Sequence, residues 1–164
     1  MNPSFHKFQK IILNPILFKF FIFQRLSASF WAGLNMHHFD AKTSIVRVKK
    51  SWFNQNPFRS MYFAVEAMAA EMSCGMLAFA QVYERKPSIS MLIEKMEASF
   101  VKKATGTILF TCEDGDAIRE TIEKAIESGE STKIICKSVG TNQEGMIVAE
   151  FLFSWTFKVK SPAP

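Results

Sequence analysis

The sequence predicts an α+β domain in which an antiparallel β-sheet wraps around one long central α-helix, with a helical segment ahead of it. The central helix is read from Ala64, Ala67, Met68, Ala69, Ala70, Met72, Met76, Leu77 and Ala80. These put small or apolar residues on nearly every side, and a helix apolar all round is enclosed by protein. The second observation is the alternation in GMIVAEFLFSWTFKVK. Ile147, Ala149, Phe151, Phe153, Trp155, Phe157 and Val159 share one face, while Glu150, Ser154, Thr156, Lys158 and Lys160 share the other. Seven apolar residues on one strand face need a long cover, and the apolar helix has that length.

The remaining elements follow in order. Asn14 and Pro15 are suited to the cap and first turn of a helix that places Ile16, Phe20 and Phe23 on one side. GLNMHHF, DAK and TSIVRVKKSW read as strand, turn and strand, with Val46 and Val48 alternating against Arg47 and Lys49. The central helix is expected to open at residues 56–60. Beyond Pro87, SISMLIEKMEASFVKKA and TGTILFTC are two strands turned near Thr105 and Gly106. DGDAIRETIEKAIESGE is an amphipathic surface helix with Ile118, Ile122, Ala125 and Ile126 as its stripe, a Glu120–Lys124 pair and a stop at Gly129. STKIICKSV, joined across GTNQE to the final segment, completes the sheet.

At 164 residues the chain reads as one domain, 1–164, with a helical extension over 1–31 and the sheet-and-helix core over 32–160. Its 17 Phe and 48% hydrophobic content imply apolar surface to hide between subunits, so a homodimer is expected. A net charge of +5 suits steering of an anionic ligand and is too modest for nucleic acid. Cys74, Cys112 and Cys136 are odd in number and lack metal-ligand spacing. Free thiols and a cytoplasmic location are expected, with no metal. His37 and His38 fall on opposite faces of a strand, and no Gly-rich phosphate loop or nucleophile-elbow sequence is present.

IILNPILFKFFIFQRL falls short of a bilayer span, which needs about 20 continuous apolar residues. Asn14, Pro15, Lys19, Gln24 and Arg25 break it, and Lys19 also interrupts any secretory signal. A helix docked on the domain or on a neighbouring subunit is the main reading and peripheral membrane contact the second; integral membrane association is not expected.

Two carboxylates stand out in the buried helix. Glu66 and Glu71 are five residues apart, about 140° around a helix, and so cannot serve one site from one helix. An unpaired buried carboxylate is costly, so each needs a partner or an opening to a ligand. For Glu71 an ion pair at a subunit contact is the bland alternative. Glu66 is expected to meet an arginine, a neighbouring subunit or a wet pocket edge. Asn56 ahead of Pro57 is either a helix cap or, if Ser60 is the cap, a group free to orient a ligand. Cys74 is read as core.

The order hairpin, buried helix, then four strands with an inserted helix resembles the hotdog fold. WFNQNPFRSMYFAVEAMAAEMSCG, EASFVKKATGTILFTC and GMIVAEFLFSWTFKVK look like a poorly characterised bacterial family of that superfamily, related to acyl-CoA thioesterases. The resemblance runs from about Asn14 to Lys160. It implies Asn56 from the turn and Glu71 from the helix as catalytic groups, with the backbone amides of Met61 and Tyr62 binding the oxyanion. Ser60 stands with them in place of a His-Gly-Gly sequence. It further implies a pocket including Ser60, Met68 and Met72, with Arg47, Arg59, Lys102 and Lys103 as candidates for coenzyme A phosphates. The implied substrate is an acyl-CoA or acyl-carrier thioester, cleaved at a site between subunits of a homodimer or homotetramer, with no cofactor beyond the coenzyme A of the substrate. A non-catalytic acyl-CoA or lipid-binding module is the alternative. A hydratase is disfavoured because no Asp and His pair accompanies the helix.

Overall fold

The computed structural model describes residues 1–160; the last four residues of the expected 1–164 domain lie outside them. Helices α1 (Phe5–Leu13), α2 (Pro15–Arg25) and α3 (Ser27–Trp31) precede strands β1 (Asn35–Phe39) and β2 (Ser44–Lys49). After a single 3-10 turn at Trp52–Asn54 come α4 (Phe63–Val82), β3 (Ile89–Phe100), β4 (Thr107–Cys112), α5 (Gly115–Ser128), β5 (Thr132–Asn142) and β6 (Ile147–Val159). The six strands form one sheet in the order β1-β2-β4-β5-β6-β3, every neighbour antiparallel.

The inner face of that sheet is apolar by strict alternation. Val46, Val48, Ile108, Phe110, Phe151, Phe153 and Phe157 are buried against α4, which lies in the concavity of the sheet. Small residues let the helix approach: Ala69, Ala70, Ala78 and Ala80 are fully enclosed. Glycine serves the same end in β5, where the Phe110 ring lies over Gly140. This is the hotdog fold, an antiparallel sheet wrapped around a central helix. Among the described residues only α4 has the length and composition of a membrane span, and 67% of its apolar window is buried within the fold.

The α1–α2 hairpin packs at the far end of α4. Phe8 meets Phe79 at 5.1 Å and Tyr83 at 5.0 Å between ring centroids. The buried Asn2 amide donates to the carbonyls of Ala80 and Tyr83 at 2.9 and 2.8 Å, satisfying acceptors that the end of a helix leaves open. Asn14 caps α2 as expected, its side chain accepting from the Ile16 and Leu17 amides. Gly129 ends α5 in the left-handed region. The three cysteines are free and buried, and the neighbouring Cys112 thiol together with burial holds the Cys74 thiol well above the ordinary range. It is a core residue.

Four expectations are corrected. The central helix opens at Phe63 and not within 56–60, because Asn56 and Pro57 belong to a turn closed by the Gln55–Met61 bridge. β3 and β4 are not neighbours: β3 pairs with β6 and β4 with β2 and β5, so the bend at Gly106 belongs to a crossover from one end of the sheet to its interior. On α2 the buried side is Phe18 and Ile22, while Ile16, Phe20 and Phe23 are exposed. That helix is apolar on both sides, so its period could not choose between them. On α5 it is Asp116 and Arg119, 2.8 Å apart, that pair in place of Glu120 and Lys124.

Candidate active site

The turn from Gln55 to Tyr62 is built around two asparagines. Asn54 is buried; its amide donates to the carbonyls of Ala32 and Lys49, both at 3.0 Å, and its side-chain oxygen accepts from the Ser51 amide. Asn56 is fully engaged within its own turn. Its side-chain oxygen accepts from the amides of Phe58 and Ser60, and its amide donates to Ser60 Oγ at 3.0 Å and to the Met61 carbonyl at 3.2 Å. Neither it nor Ser60 caps α4. Together they hold a compact turn in which Arg59 takes the left-handed φ of 62°.

The expected oxyanion donors are also displaced. Met61 donates to the Ala104 carbonyl at 2.8 Å and Tyr62 to the Asn54 carbonyl at 2.9 Å, so neither amide is open to a ligand. Tyr62 is instead the cap residue of α4 and gives it no side-chain hydrogen bond. The amides of Phe63 and Ala64, which a helix start leaves without internal partners, have no acceptor among the described residues. The free donors therefore lie two residues further along, at the positive end of the helix.

Phe63 borders a recess of about 340 Å³ whose walls also include Asn56, Ser60, Glu66, Lys102 and Lys103. Glu66 is the residue that the sequence left outside the site. It is only 4% exposed, its Oε2 has no hydrogen-bond partner, and burial pushes its pKa up to about 7. Its signal in the sequence is a carboxylate within an otherwise apolar helix, which calls for a partner or an opening such as this one. Met61 lies in the same wall, whereas Met68 borders neither recess. Arg47 and Arg59 are exposed and stand outside both, on the outer side of β2 and at the tip of the turn.

Glu71 opens elsewhere, into a larger apolar groove of about 710 Å³ between α2 and α4. Leu17 and Phe20 of α2, Met72 and Met76 of α4 and Met91 of β3 form its walls, with Arg25 also on its border. Glu71 is half-buried and has no ion-pair or hydrogen-bond partner among the described residues. Burial alone pushes its pKa up to about 7. A carboxylic acid poised there changes protonation near neutrality and can take and return a proton. Within one protomer the groups are not brought together: Phe63 and Glu71 are eight residues apart, about 12 Å along a helix.

The sheet has one conspicuous open edge. β3 pairs with β6 on one side only, and Met96 and Phe100 are exposed although they lie opposite Phe153 and Ala149, which are buried on the inner face. The core-facing side of the edge strand thus continues past what α4 covers.

Solved structures of similar shape come from several bacteria. A Pseudomonas aeruginosa protein of unknown function, named "Probable Thioesterase", superposes with a TM-score of 0.74 at 20% identity over 92% of this chain and 99% of its own. A Chlorobaculum tepidum protein of unknown function gives 0.74 at 16% identity over 91% and 99%. A Haemophilus influenzae thioesterase gives 0.58 at 10% identity over 84% and 87%. At these identities the likeness establishes the fold. No curated protein matches the sequence. The model of DUF4442, a domain of unknown function, matches residues 19–157, and the chain belongs to that family.

Proposed function

We propose that this protein hydrolyses acyl thioesters, of coenzyme A or an acyl carrier, at a site completed between two copies of the chain. The observation that carries this reading is the unpaired Glu71 carboxyl on the wall of a largely apolar groove, where burial pushes its pKa up to about 7. Thioesterase names among structures of the same fold agree with it.

Pairing of β3 with β3 of a second copy would extend the sheet, cover Met96 and Phe100, and set two α4 helices side by side in opposite directions. The open helix start of one protomer then approaches Glu71 of the other, removing the separation of about 12 Å within a single helix. The acyl chain occupies the α2–α4 groove. The thioester carbonyl oxygen accepts from the Phe63 and Ala64 amides of the opposite helix, and Lys102 and Lys103 at the rim face the phosphates of the carrier.

Glu71, ionised, takes a proton from a water molecule as that water attacks the carbonyl carbon. The resulting oxyanion is held by the two amides. Its collapse breaks the C–S bond, and the proton on Glu71 passes to the leaving thiolate, giving a free acid and a free thiol. Asn56 acts as a positioning residue that fixes the turn ahead of these amides.

A non-catalytic acyl-binding module is the second reading, favoured by the complete use of the Asn56, Met61 and Tyr62 donors inside their own turn. Free-thiol release from acyl-CoA substrates of graded chain length separates the two. Turnover that disappears in Glu71→Gln supports the hydrolase; saturable binding with no thiol released supports the binding module.

A further inference from the structure

The surface formed by α2, α3 and the 3-10 turn at Trp52–Asn54 is unlike the rest of the molecule. Ile16 is 80% exposed, Phe20 60%, Trp31 59% and Trp52 84%, and Phe23 and Phe53 stand open beside them. Ring contacts link Phe23, Phe30, Trp31 and Phe53: Phe23 meets Phe30 at 5.1 Å, Phe30 meets Trp31 at 5.4 Å, and Trp31 meets Phe53 at 6.3 Å, with Trp52 next to Phe53 in the chain and Ile16 and Phe20 on the same side of α2 as Phe23. A contiguous apolar patch of large aromatic residues marks an interaction surface.

Charge says which kind. Residues 1–65 contain nine Lys and Arg against the single acid Asp40, a balance of +8, and residues 66–164 carry eleven against fourteen, or −3; the two sum to the +5 of the chain. Every ion pair found among the described residues lies away from the patch. Lys19, Arg25, Lys49 and Lys50 have no carboxylate partner. Lys19 is four residues before Phe23 on α2, and Lys50 is two before Trp52, so free cations border the exposed rings. A second copy of the same basic face would meet like charge, whereas an anionic surface meets opposite charge.

We propose that this face docks the protein peripherally on an anionic lipid bilayer. α2 lies in the interface plane with Ile16 and Phe23 turned into the acyl boundary, Trp31 and Trp52 sit at headgroup depth, and the flanking cations meet lipid phosphates. With 11 residues α2 is about 17 Å long, too short to span and long enough to lie flat. The α2–α4 groove opens beside the same helix, so an apolar ligand leaving the bilayer would enter it with little exposure to water. The docking itself does not rest on the hydrolase reading.

The test is co-sedimentation of the full chain with phosphatidylcholine vesicles and with phosphatidylcholine–phosphatidylglycerol vesicles, at low and high salt. Binding at least tenfold tighter to the anionic vesicles, weakened by salt, is expected. Lipids brominated on their acyl chains should quench the fluorescence of Trp31 and Trp52 while the buried Trp155 remains. Ile16→Ser/Phe23→Ser and Lys19→Glu should each reduce binding tenfold or more with an unchanged melting temperature, since all three positions are exposed. Failure to bind, equal binding to neutral vesicles, or a variant that alters the oligomeric mass and not vesicle binding overturns the proposal; the last result would assign the face to a second copy.

Discussion

The Glu71 carboxylate lies forward along its own helix over Gly75, so closely that a Cβ on Gly75 would stand 2.6 Å from Glu71 Oε1 and 3.5 Å from the Trp155 ring. Four residues apart on α4, the two form one feature: the glycine provides the space in which the carboxyl rests at the groove wall.

Gly75→Ala should therefore displace the carboxyl, since the clash is with the far end of a flexible side chain. Alanine also favours the helix by roughly 0.5–1 kcal/mol. The expected outcome is thioester turnover reduced tenfold or more with unchanged or slightly raised stability, read from kcat and from chemical denaturation of the same preparation. A loss of stability matching the loss of turnover would show a packing role instead.

Glu66 predicts a pH dependence of stability. Its folded pKa, about 7, stands above the ordinary 4.5, so between those values the folded chain holds a proton that the unfolded chain has lost. Stability falls as pH rises through that window. Glu66→Gln removes the cost: unfolding in denaturant should show a gain of roughly 2–4 kcal/mol at pH 8 and little change at pH 4. An equal effect at both pH values would mean that Glu66 has a partner in solution.

Gly115 tests the junction between α5 and the β1–β2 turn. A Cβ there would come within 2.2 Å of the Ala41 carbonyl oxygen and 2.7 Å of Lys42 Cα, both backbone atoms. Gly115→Ala should destabilise by about 2 kcal/mol or more, seen as a lower melting temperature. An unchanged melt would mean that this junction shifts freely.

The open edge of β3 predicts assembly. Phe100→Lys/Met96→Lys places charge on the inner-facing side of the edge strand and should turn a dimer into a monomer by sedimentation velocity, with turnover lost in parallel. A dimer that survives would place the interface elsewhere.

The fold was legible because its largest elements carry unambiguous patterns: an all-apolar helix and a final strand alternating over thirteen residues. The start of α4 was misplaced because Asn56-Pro57 has the chemistry of a helix cap, while Asn54 and Asn56 in fact spend their hydrogen bonds on a turn. Helix α1 carries Phe5, Phe8 and Ile12 at helical spacing, a pattern that was readable, whereas α2 is apolar on both sides and its docked face was not. The role expected of Glu71 comes from the resemblance. That Glu66, and not Glu71, shares a recess with Asn56 and Ser60 depends on the path of the chain around the helix start, which no spacing records.

Mixing subunits addresses the shared site most directly. Glu71→Gln and Asn56→Ala proteins, each inactive as a homodimer, are unfolded together, refolded and assayed for thiol release. A site made from Glu71 of one protomer and the turn of the other predicts recovery approaching one quarter of the wild-type rate, since about half the molecules form as mixed dimers with one intact site each. No recovery, with mixed dimers demonstrated by mass, would contradict it.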